Sequence, residues 1–290
     1  ETDLTVEVTF RGNNYYDYPE YRGEVTVPST IIYNNMIYGV TSIGAHAFSC
    51  CYGLDYVVLG NGLTDIADNT FYECSALKQL IIPNSVISIG KHAFFSCDSL
   101  KTIDIPNTVT TIGDYAFSGC SKLESIYIPY GVSKIGVYTF ENCSSLKYIF
   151  LPQSLTSIGH NAFYGCEKLL EIDIPEGIKS IEESTFANCT SLASITIPNS
   201  VMTIEFGAFS NTAYYNDAKN WDKGVLYISN CLIEAKTSIA GNYSIKPNTR
   251  VIADYALSGC SNLTSVTFAQ SVRSIGDASF YGCKKMNEVN

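Results

Sequence analysis

Apolar side chains recur along this chain every 23 residues. The pattern is clearest at residues 100–121, where Ile103 and Ile105 alternate with the polar residues Thr102 and Asp104. Two columns of the internal alignment are nearly constant: Leu77, Leu100, Leu123, Leu146, Leu169 and Leu192 form one, and Phe71, Phe94, Phe117, Phe140, Phe163, Phe186 and Phe209 form the other. A fixed period of this length indicates a solenoid of stacked coils.

Each copy of the repeat is predicted to hold three short segments. The alternation at residues 102–105 predicts a strand with one buried face, and Pro106 ends it because proline has no N–H to donate to a ladder. Residues 109–112 form a second extended piece. Residues 116–120 have the spacing of a single helical turn, which we expect to aim a phenylalanine ring and a thiol inward. Because proline recurs at the same level of most copies, the strands are expected to be short, parallel and stacked.

The register of the repeat divides the chain into four parts. We predict an N-terminal cap and modified first repeat over residues 1–51, regular repeats over 52–212, an irregular hairpin insertion over 213–239, and C-terminal repeats over 240–290. A last strand begins close to the final residue, so the pattern leaves open whether the C-terminal edge is free or the natural protein continues.

The cap has its own signals. Residues 4–10 alternate like a strand, and a tyrosine-rich segment follows at residues 15–21. Asn34-Asn35 lies between two apolar runs and predicts a two-residue hairpin turn, because asparagine tolerates positive φ. We expect these pieces to cover the first coil, which would otherwise expose an unpaired strand edge.

The insertion holds the single tryptophan of the chain, Trp221. Residues 224–228 and 231–235 flank a Ser-Asn turn and predict a longer hairpin that replaces one coil. A large ring in the segment that breaks register is most often local core, so we expect Trp221 to anchor the hairpin rather than to bind a ligand.

Nine of the eleven cysteines share one position of the repeat, three residues after the phenylalanine column: Cys51, Cys74, Cys97, Cys120, Cys143, Cys166, Cys189, Cys260 and Cys283. We interpret them as reduced, buried packing residues. No C-x-x-C pair is present, and only three histidines (His46, His92, His160) exist to complete a metal site. Cys50 and Cys231 lie outside the column, and their redox state is left open.

Charge and motifs exclude several function classes. A formal charge of −10 argues against nucleic acid and anionic membranes as partners, and no apolar run has transmembrane length. No signal segment is present at Glu1, which fits a cytosolic protein or one whose signal was removed. Hydrolase, zinc-protease, phosphate-loop and dinucleotide motifs are absent. We therefore expect no enzyme activity, no cofactor and no metal. We interpret the acidic run Glu171, Asp173, Glu176, Glu182 and Glu183 as a solvated face.

The repeat LxxIxIPxxVxxIGxxAFxxC resembles the BspA-type leucine-rich repeat, also called the TpLRR class. The segments at residues 21–30 and 40–48 resemble the usual start of such proteins, and residues 221–257 resemble a variant unit found in bacterial members. The resemblance implies an α/β right-handed solenoid with short parallel strands on its concave face and single helical turns. It also implies a secreted or surface-displayed bacterial protein that adheres to a host protein, a glycan or another cell, and it implies no catalytic residues.

Position counting identifies a candidate partner-binding surface. With Ile126 and Ile128 facing inward, the residues between them and in the matching positions of neighbouring strands face outward. The predicted partner-binding residues are Tyr56, Val58, Ile81, Asp104, Tyr127, Tyr148, Phe150, Glu171 and Asp173. An aromatic centre with a charged rim is typical of protein interfaces. The alternative is a structural spacer or self-assembling rod, in which tyrosine and phenylalanine serve strand propensity alone.

Overall fold

The alternation found in the sequence recurs as ladders of short parallel strands. A computed structural model of the protein describes residues 5–9 and 21–289. It is a β-solenoid with coils of about 23 residues, as predicted, and most regular coils place two strands in matching positions of their neighbours. The strands of the regular coils are β5 Gly53–Leu59, β6 Asp65–Ile66, β7 Gln79–Ile81, β8 Ser88–Ile89, β9 Thr111–Ile112, β10 Ser125–Tyr127, β11 Lys134–Ile135, β12 Tyr148–Phe150, β13 Ser157–Ile158, β14 Glu171–Asp173, β15 Ser180–Ile181, β16 Ser194–Thr196 and β17 Thr203–Ile204.

Two parallel ladders run along the solenoid. In the first, Ser125 lies opposite Tyr148 and Tyr127 lies opposite Phe150. In the second, Lys134 pairs with Ser157. The outward side chains of the first ladder, from β5 to β16, form a surface that we call the strand face. Proline follows this strand in most coils, and it keeps the strands as short as the sequence indicates.

The remaining side of each coil, here called the turn side, consists of turns rather than the expected single helical turn. Tyr115 has a φ of 58° and Gly119 has a φ of 77°, and positive φ at every fourth residue prevents a right-handed helix from continuing. The Phe117 N–H instead donates to the carbonyl of Thr139 in the next coil at 2.9 Å. The turns therefore link neighbouring coils by hydrogen bonds, while Phe117 and Cys120 remain fully buried as predicted.

The phenylalanine column forms a continuous stack through the core. From Phe48 to Phe209, successive ring centroids lie 5.2–5.6 Å apart with interplanar angles of 2–10°. The cysteine column lies beside it, and the Cys120 thiol donates to the carbonyl of Phe94 at 3.1 Å. None of the eleven cysteines, including Cys50 and Cys231, forms a disulfide bond, and all but the half-buried Cys283 are buried.

The N-terminal strands complete one end of the solenoid. They are β1 Thr5–Val8, β2 Arg22–Val27, β3 Thr30–Tyr33 and β4 Met36–Ile43. β1 pairs in parallel with β4, and β3 and β4 form the predicted hairpin, with φ of 49° at Asn34 and 58° at Asn35. The Tyr21 ring lies 4.9 Å from that of Phe48, where it covers the first ring of the stack. Residues 4, 10 and 15–20 of the predicted cap lie outside the described residues.

The register breaks after β17, as the sequence indicates. The elements that follow are helix α1 Ala213–Asn216, a 3-10 helix Ala218–Asn220, β18 Trp221–Asp222, β19 Val225–Ile228, β20 Cys231–Ala235, β21 Ala240–Ser244, β22 Val251–Ile252, β23 Asn262–Thr267, β24 Ser274–Ile275 and β25 Glu288–Val289. β19 and β20 form the predicted antiparallel hairpin, and β20 continues in parallel with β22. The Ser229 hydroxyl at the tip of the hairpin accepts a hydrogen bond from the Ile197 N–H at 3.2 Å.

Trp221 is part of the local core of this insertion. Its indole N–H donates to the Tyr215 carbonyl at 2.7 Å, and the two rings meet edge to face at 5.3 Å. The Lys236 ammonium lies 5.0 Å from the centre of the Trp221 ring. These contacts join the segment before the hairpin to the segment after it.

We expect Trp221→Ala to lower the stability of the insertion by about 2–3 kcal/mol, because truncating a large aromatic leaves a void and an unpaired carbonyl. Hydrogen exchange of β19 and β20 should report the loss before the rest of the solenoid responds. Trp221→Phe keeps most of the packing and should cost less than half as much. Unchanged exchange in Trp221→Ala, together with loss of partner binding, would reassign the ring to a ligand site.

Candidate binding surface

The strand face exposes most of the residues that the alternation of side chains along a strand places there; Tyr56 and Val58 are partly buried. Ile126 and Ile128 are buried beneath it, whereas Ser125 and Tyr127, which alternate with them along the strand, are exposed. Thr102 bridges to Ser125 and extends the ladder by one coil, although residues 102–105 do not form a full strand. The outward side is therefore a row of short strands, paired in separate groups, with a shallow groove at Thr102, Asp104, Ser125 and Tyr127.

Three aromatic side chains from two adjacent strands dominate the centre of this face. The exposed fractions are 49% for Tyr127 and 55% for both Tyr148 and Phe150. The rings of Tyr127 and Phe150 are stacked, with centroids 5.2 Å apart and an interplanar angle of 9°. Each of these two rings therefore covers one face of the other.

The other predicted residues extend the surface on both sides of this centre. Ile81 is 44% exposed and lies opposite Val58, whereas Val58 and Tyr56 are less exposed than Ile81 and partly buried. Asp104 lies one coil before Tyr127 in the same column, and Glu171 and Asp173 lie one coil after Tyr148 and Phe150. All three carboxylates are exposed. The arrangement is an aromatic centre with carboxylates toward both ends of the solenoid.

Two ion pairs lie at the edge of the strand face where its strands begin. The Lys78 ammonium lies 3.0 Å from the Asp55 carboxylate, and the Lys147 ammonium lies 3.4 Å from the Glu124 carboxylate. Both pairs join residues 23 positions apart, so they connect neighbouring coils at the level where the strands begin. Exposed pairs of this kind contribute less than about 1 kcal/mol each. They neutralise the edge of the face without covering the aromatic centre.

A second row of aromatic rings lies on the turn side and was not predicted. The rings of His92 and Tyr115 are stacked at 4.7 Å, and those of Tyr115 and Tyr138 are stacked at 4.6 Å. Burial lowers the pKa of His92 and raises that of Tyr115. The available signal was the position two residues before the column phenylalanine, which holds His92, Tyr115 and Tyr138 in three successive coils. Because these rings are half-buried against each other, they act as packing between turns.

The described residues contain no group of three or more His, Cys, Asp or Glu side chains placed to hold a metal ion. No helix among those residues is long and apolar enough to cross a bilayer.

Comparison with known proteins identifies the repeat. A family model described as a BspA type leucine rich repeat region matches residues 41–169, 110–240 and 228–290. The chain belongs to the BspA-type leucine-rich repeat family. Solved structures agree with this assignment. A leucine-rich repeat protein from Bacteroides ovatus is 28% identical, with a TM-score of 0.69 over 100% of this chain and 70% of that one.

A second solved structure that is similar to this chain is a leucine rich cell surface protein from Faecalibacterium prausnitzii. It is 26% identical, with a TM-score of 0.51 over 100% of this chain and 91% of that one. No curated protein is similar enough to this chain to count as a match. The BspA-type repeat region is typically a non-enzymatic scaffold for binding, so the exposed faces of the coils are where function is expected.

Proposed function

We propose that this protein is displayed at the bacterial cell surface and binds an extracellular protein of a host or of a neighbouring cell through the strand face. The observation that carries the proposal is the exposed cluster of Tyr127, Tyr148 and Phe150, bordered by Asp104, Glu171 and Asp173. Tyrosine and other aromatic residues are enriched at the centres of protein interfaces, whereas charged residues are depleted there and more frequent at the rim.

Several features favour a protein partner over a glycan. Sugars stack on free ring faces, but Tyr127 and Phe150 each have one face covered by the other. The strand face is shallow and long, which suits the large, flat contact of a protein interface. The location at the cell surface is supported by the description of the Faecalibacterium prausnitzii relative as a cell surface protein. Adhesion would follow from binding at that location.

The test is a triple variant with Tyr127→Ser, Tyr148→Ser and Phe150→Ser. We first screen the purified chain against extracellular-matrix proteins and host glycans, and then measure the affinity of the triple variant for the partner found. Because each ring is about half exposed, the fold should be retained, while loss of several central aromatic contacts should weaken binding at least about a hundredfold.

The matched control removes three exposed aromatic rings elsewhere, with Tyr52→Ser, Tyr130→Ser and Tyr281→Ser. These rings are 53%, 69% and 73% exposed and lie off the strand face. Binding by the control at wild-type affinity and loss of binding by the triple variant would support the proposal. Retained binding by the triple variant would move the site elsewhere, and a screen without any partner would favour the structural spacer.

A further inference from the structure

The insertion leaves a cavity on the turn side of the solenoid, between the coil that ends near residue 211 and the coil that begins near residue 251. We call it the insertion cavity. Its volume is about 580 Å³, and its lining includes Gly207, Phe209, Glu234, Asp254 and Ser258. Ligand sites in proteins typically occupy about 300–1,000 Å³. The cavity exists because the hairpin β19–β20 replaces a coil without supplying a full set of turns.

One wall of the insertion cavity carries backbone donors that have lost their usual acceptors. In the preceding coil, the N–H groups of Ser184 and Phe186 donate to the turn of the next coil at 3.1 Å and 2.8 Å. The equivalent N–H groups one coil later belong to Gly207 and Phe209. Neither has a hydrogen-bond partner within the described residues. Buried backbone donors are rarely left unpaired, because losing their hydrogen bonds to water costs about 1–3 kcal/mol each.

The opposite wall carries the complementary acceptors. In the last coils, the carbonyls of Asp277 and Tyr281 accept hydrogen bonds from the preceding turn at 2.8 Å and 2.7 Å. The equivalent carbonyls one coil earlier belong to Asp254 and Ser258, and no donor reaches either of them in the described part of the chain. The carbonyl of Ala256 between them is occupied, because the Ala235 N–H donates to it. The insertion thus supplies one of the hydrogen bonds that a regular turn would make.

The side chains that line the insertion cavity favour a positively charged ligand. Glu205, Glu234 and Asp254 contribute carboxylates, and burial raises the pKa of both Glu234 and Asp254. The Glu234 carboxylate accepts a hydrogen bond from the Tyr215 hydroxyl at 3.0 Å. The single basic residue of the lining is Lys236, whose ammonium lies over the Trp221 ring.

Two aromatic rings lie at the edge of the insertion cavity. Phe206 and Tyr255 are 57% and 44% exposed, and they meet edge to face at 5.3 Å across the two coils. Aromatic rings beside carboxylates favour a guanidinium or ammonium group, because the cation interacts with both the negative charge and the ring electrons.

We propose that the insertion cavity binds an extended segment of a partner polypeptide that carries an arginine or lysine. The carbonyls of the segment accept hydrogen bonds from the N–H groups of Gly207 and Phe209, and its N–H groups donate to the carbonyls of Asp254 and Ser258. The basic side chain lies among Glu205, Glu234 and Asp254. Addition of an extended peptide to unpaired backbone groups is an established mode of peptide recognition. The insertion cavity lies away from the strand face, and this proposal does not depend on the partner proposed for the strand face.

The experiment uses the full chain and synthetic hexapeptides with blocked termini. We select the tightest binder from a pool with a central arginine and random neighbours, and compare it with the same peptide carrying citrulline, which keeps the shape but lacks the charge. Glu234→Gln combined with Asp254→Asn should weaken binding of the arginine peptide at least about tenfold, because charge-assisted hydrogen bonds are lost. Glu171→Gln combined with Asp173→Asn removes the same charge from the strand face and should leave the affinity unchanged.

Backbone pairing is tested separately from charge. In amide-resolved NMR, the protons of Gly207 and Phe209 should shift downfield on peptide addition and become protected from exchange, while amides of the strand face do not change. Peptides N-methylated at single positions should lose about tenfold or more in affinity at the two positions that face Asp254 and Ser258. The proposal is overturned if no peptide is selected, if citrulline binds as well as arginine, or if binding leaves the Gly207 and Phe209 amides unchanged.

Discussion

Phe140→Ala is expected to lower the free energy of unfolding by about 4 kcal/mol, at the upper end of what a single core truncation costs. The Phe140 ring is fully buried and stacked between Phe117 at 5.5 Å and Phe163 at 5.4 Å. Its removal leaves a hole in the middle of the core. In a solenoid each coil contacts only its neighbours, so a weakened junction also uncouples the two halves of the array.

Urea unfolding followed by circular dichroism and by hydrogen exchange should therefore show a broader transition, with exchange differing on the two sides of residue 140. Phe150→Ala is the matched control, because it deletes the same ring from an exposed position and should cost less than about 1 kcal/mol. Phe140→Leu should recover most of the stability, since Leu257 occupies this column in a later coil. Equal costs for Phe140→Ala and Phe150→Ala would refute the role assigned to the stack.

Raising the pH from 8 to 11 is expected to unfold the protein cooperatively, because the buried thiols have raised pKa values. Burial raises the pKa of Cys120 and of Cys231 to about 12. Six other thiols share the direction of this shift: Cys74, Cys97, Cys143, Cys166, Cys260 and Cys283. The cause is the same in each case, since a thiolate loses its hydration when it is buried.

Stability falls as the pH rises because the folded state binds more protons than the unfolded state. An unfolded cysteine loses its proton near pH 8.5, whereas the folded thiols of Cys120 and Cys231 keep theirs until about pH 12. The stabilisation is therefore complete below about pH 8.5 and is lost as the pH rises toward 12. Above pH 8.5 each such thiol lowers the free energy of unfolding by about 1.4 kcal/mol per pH unit. Cys120 and Cys231 alone therefore lower it by about 5 kcal/mol between about pH 8.5 and about pH 10.5.

Urea unfolding at several pH values between 7.5 and 11 measures this slope, and thiolate absorbance reports whether the thiols ionise only on unfolding. Replacing Cys120 and Cys143 by alanine lowers stability at neutral pH but should reduce the slope above pH 9 by about two protons. Tyrosine and lysine titrate in both proteins and cancel in the comparison. An unchanged slope in the double variant, or thiolate absorbance that rises before the chain unfolds, would contradict buried, protonated thiols.

Local signals in the sequence predicted several features of the structure correctly. The hairpin at Asn34-Asn35 followed from the tolerance of asparagine for positive φ, and both residues have it. The hairpin of the insertion followed from two apolar runs about a Ser-Asn turn. The helical turn at residues 116–120 was wrong, because spacings of one and three also fit consecutive turns. Only the hydrogen bonds to the next coil distinguish the two.

The candidate surface was predictable in its membership but not in its geometry. Strand parity places Tyr127, Tyr148 and Phe150 outward, and all three are exposed. The alternation of side chains does not show how much of a side chain its neighbours cover, and Tyr56 and Val58 are partly buried. The stacking of Tyr127 on Phe150 depends on the rotamers that both rings adopt once their strands pair. No feature of the sequence predicted the insertion cavity. It lies where two coils that are distant in the chain lack the hydrogen bonds that neighbouring regular coils make.

The period of 23 residues can be read from the sequence alone, and so can the columns that form the core and the side of each strand that faces solvent. These follow from one copy and its repetition, since a residue at a given position of a coil meets its counterpart in the next. The turn conformation, the exposure of individual side chains and the cavity beside the insertion become visible only in the folded chain. Each of these depends on contacts between coils whose spacing in the chain is irregular or whose side chains differ, and a repeating pattern carries no information about such contacts.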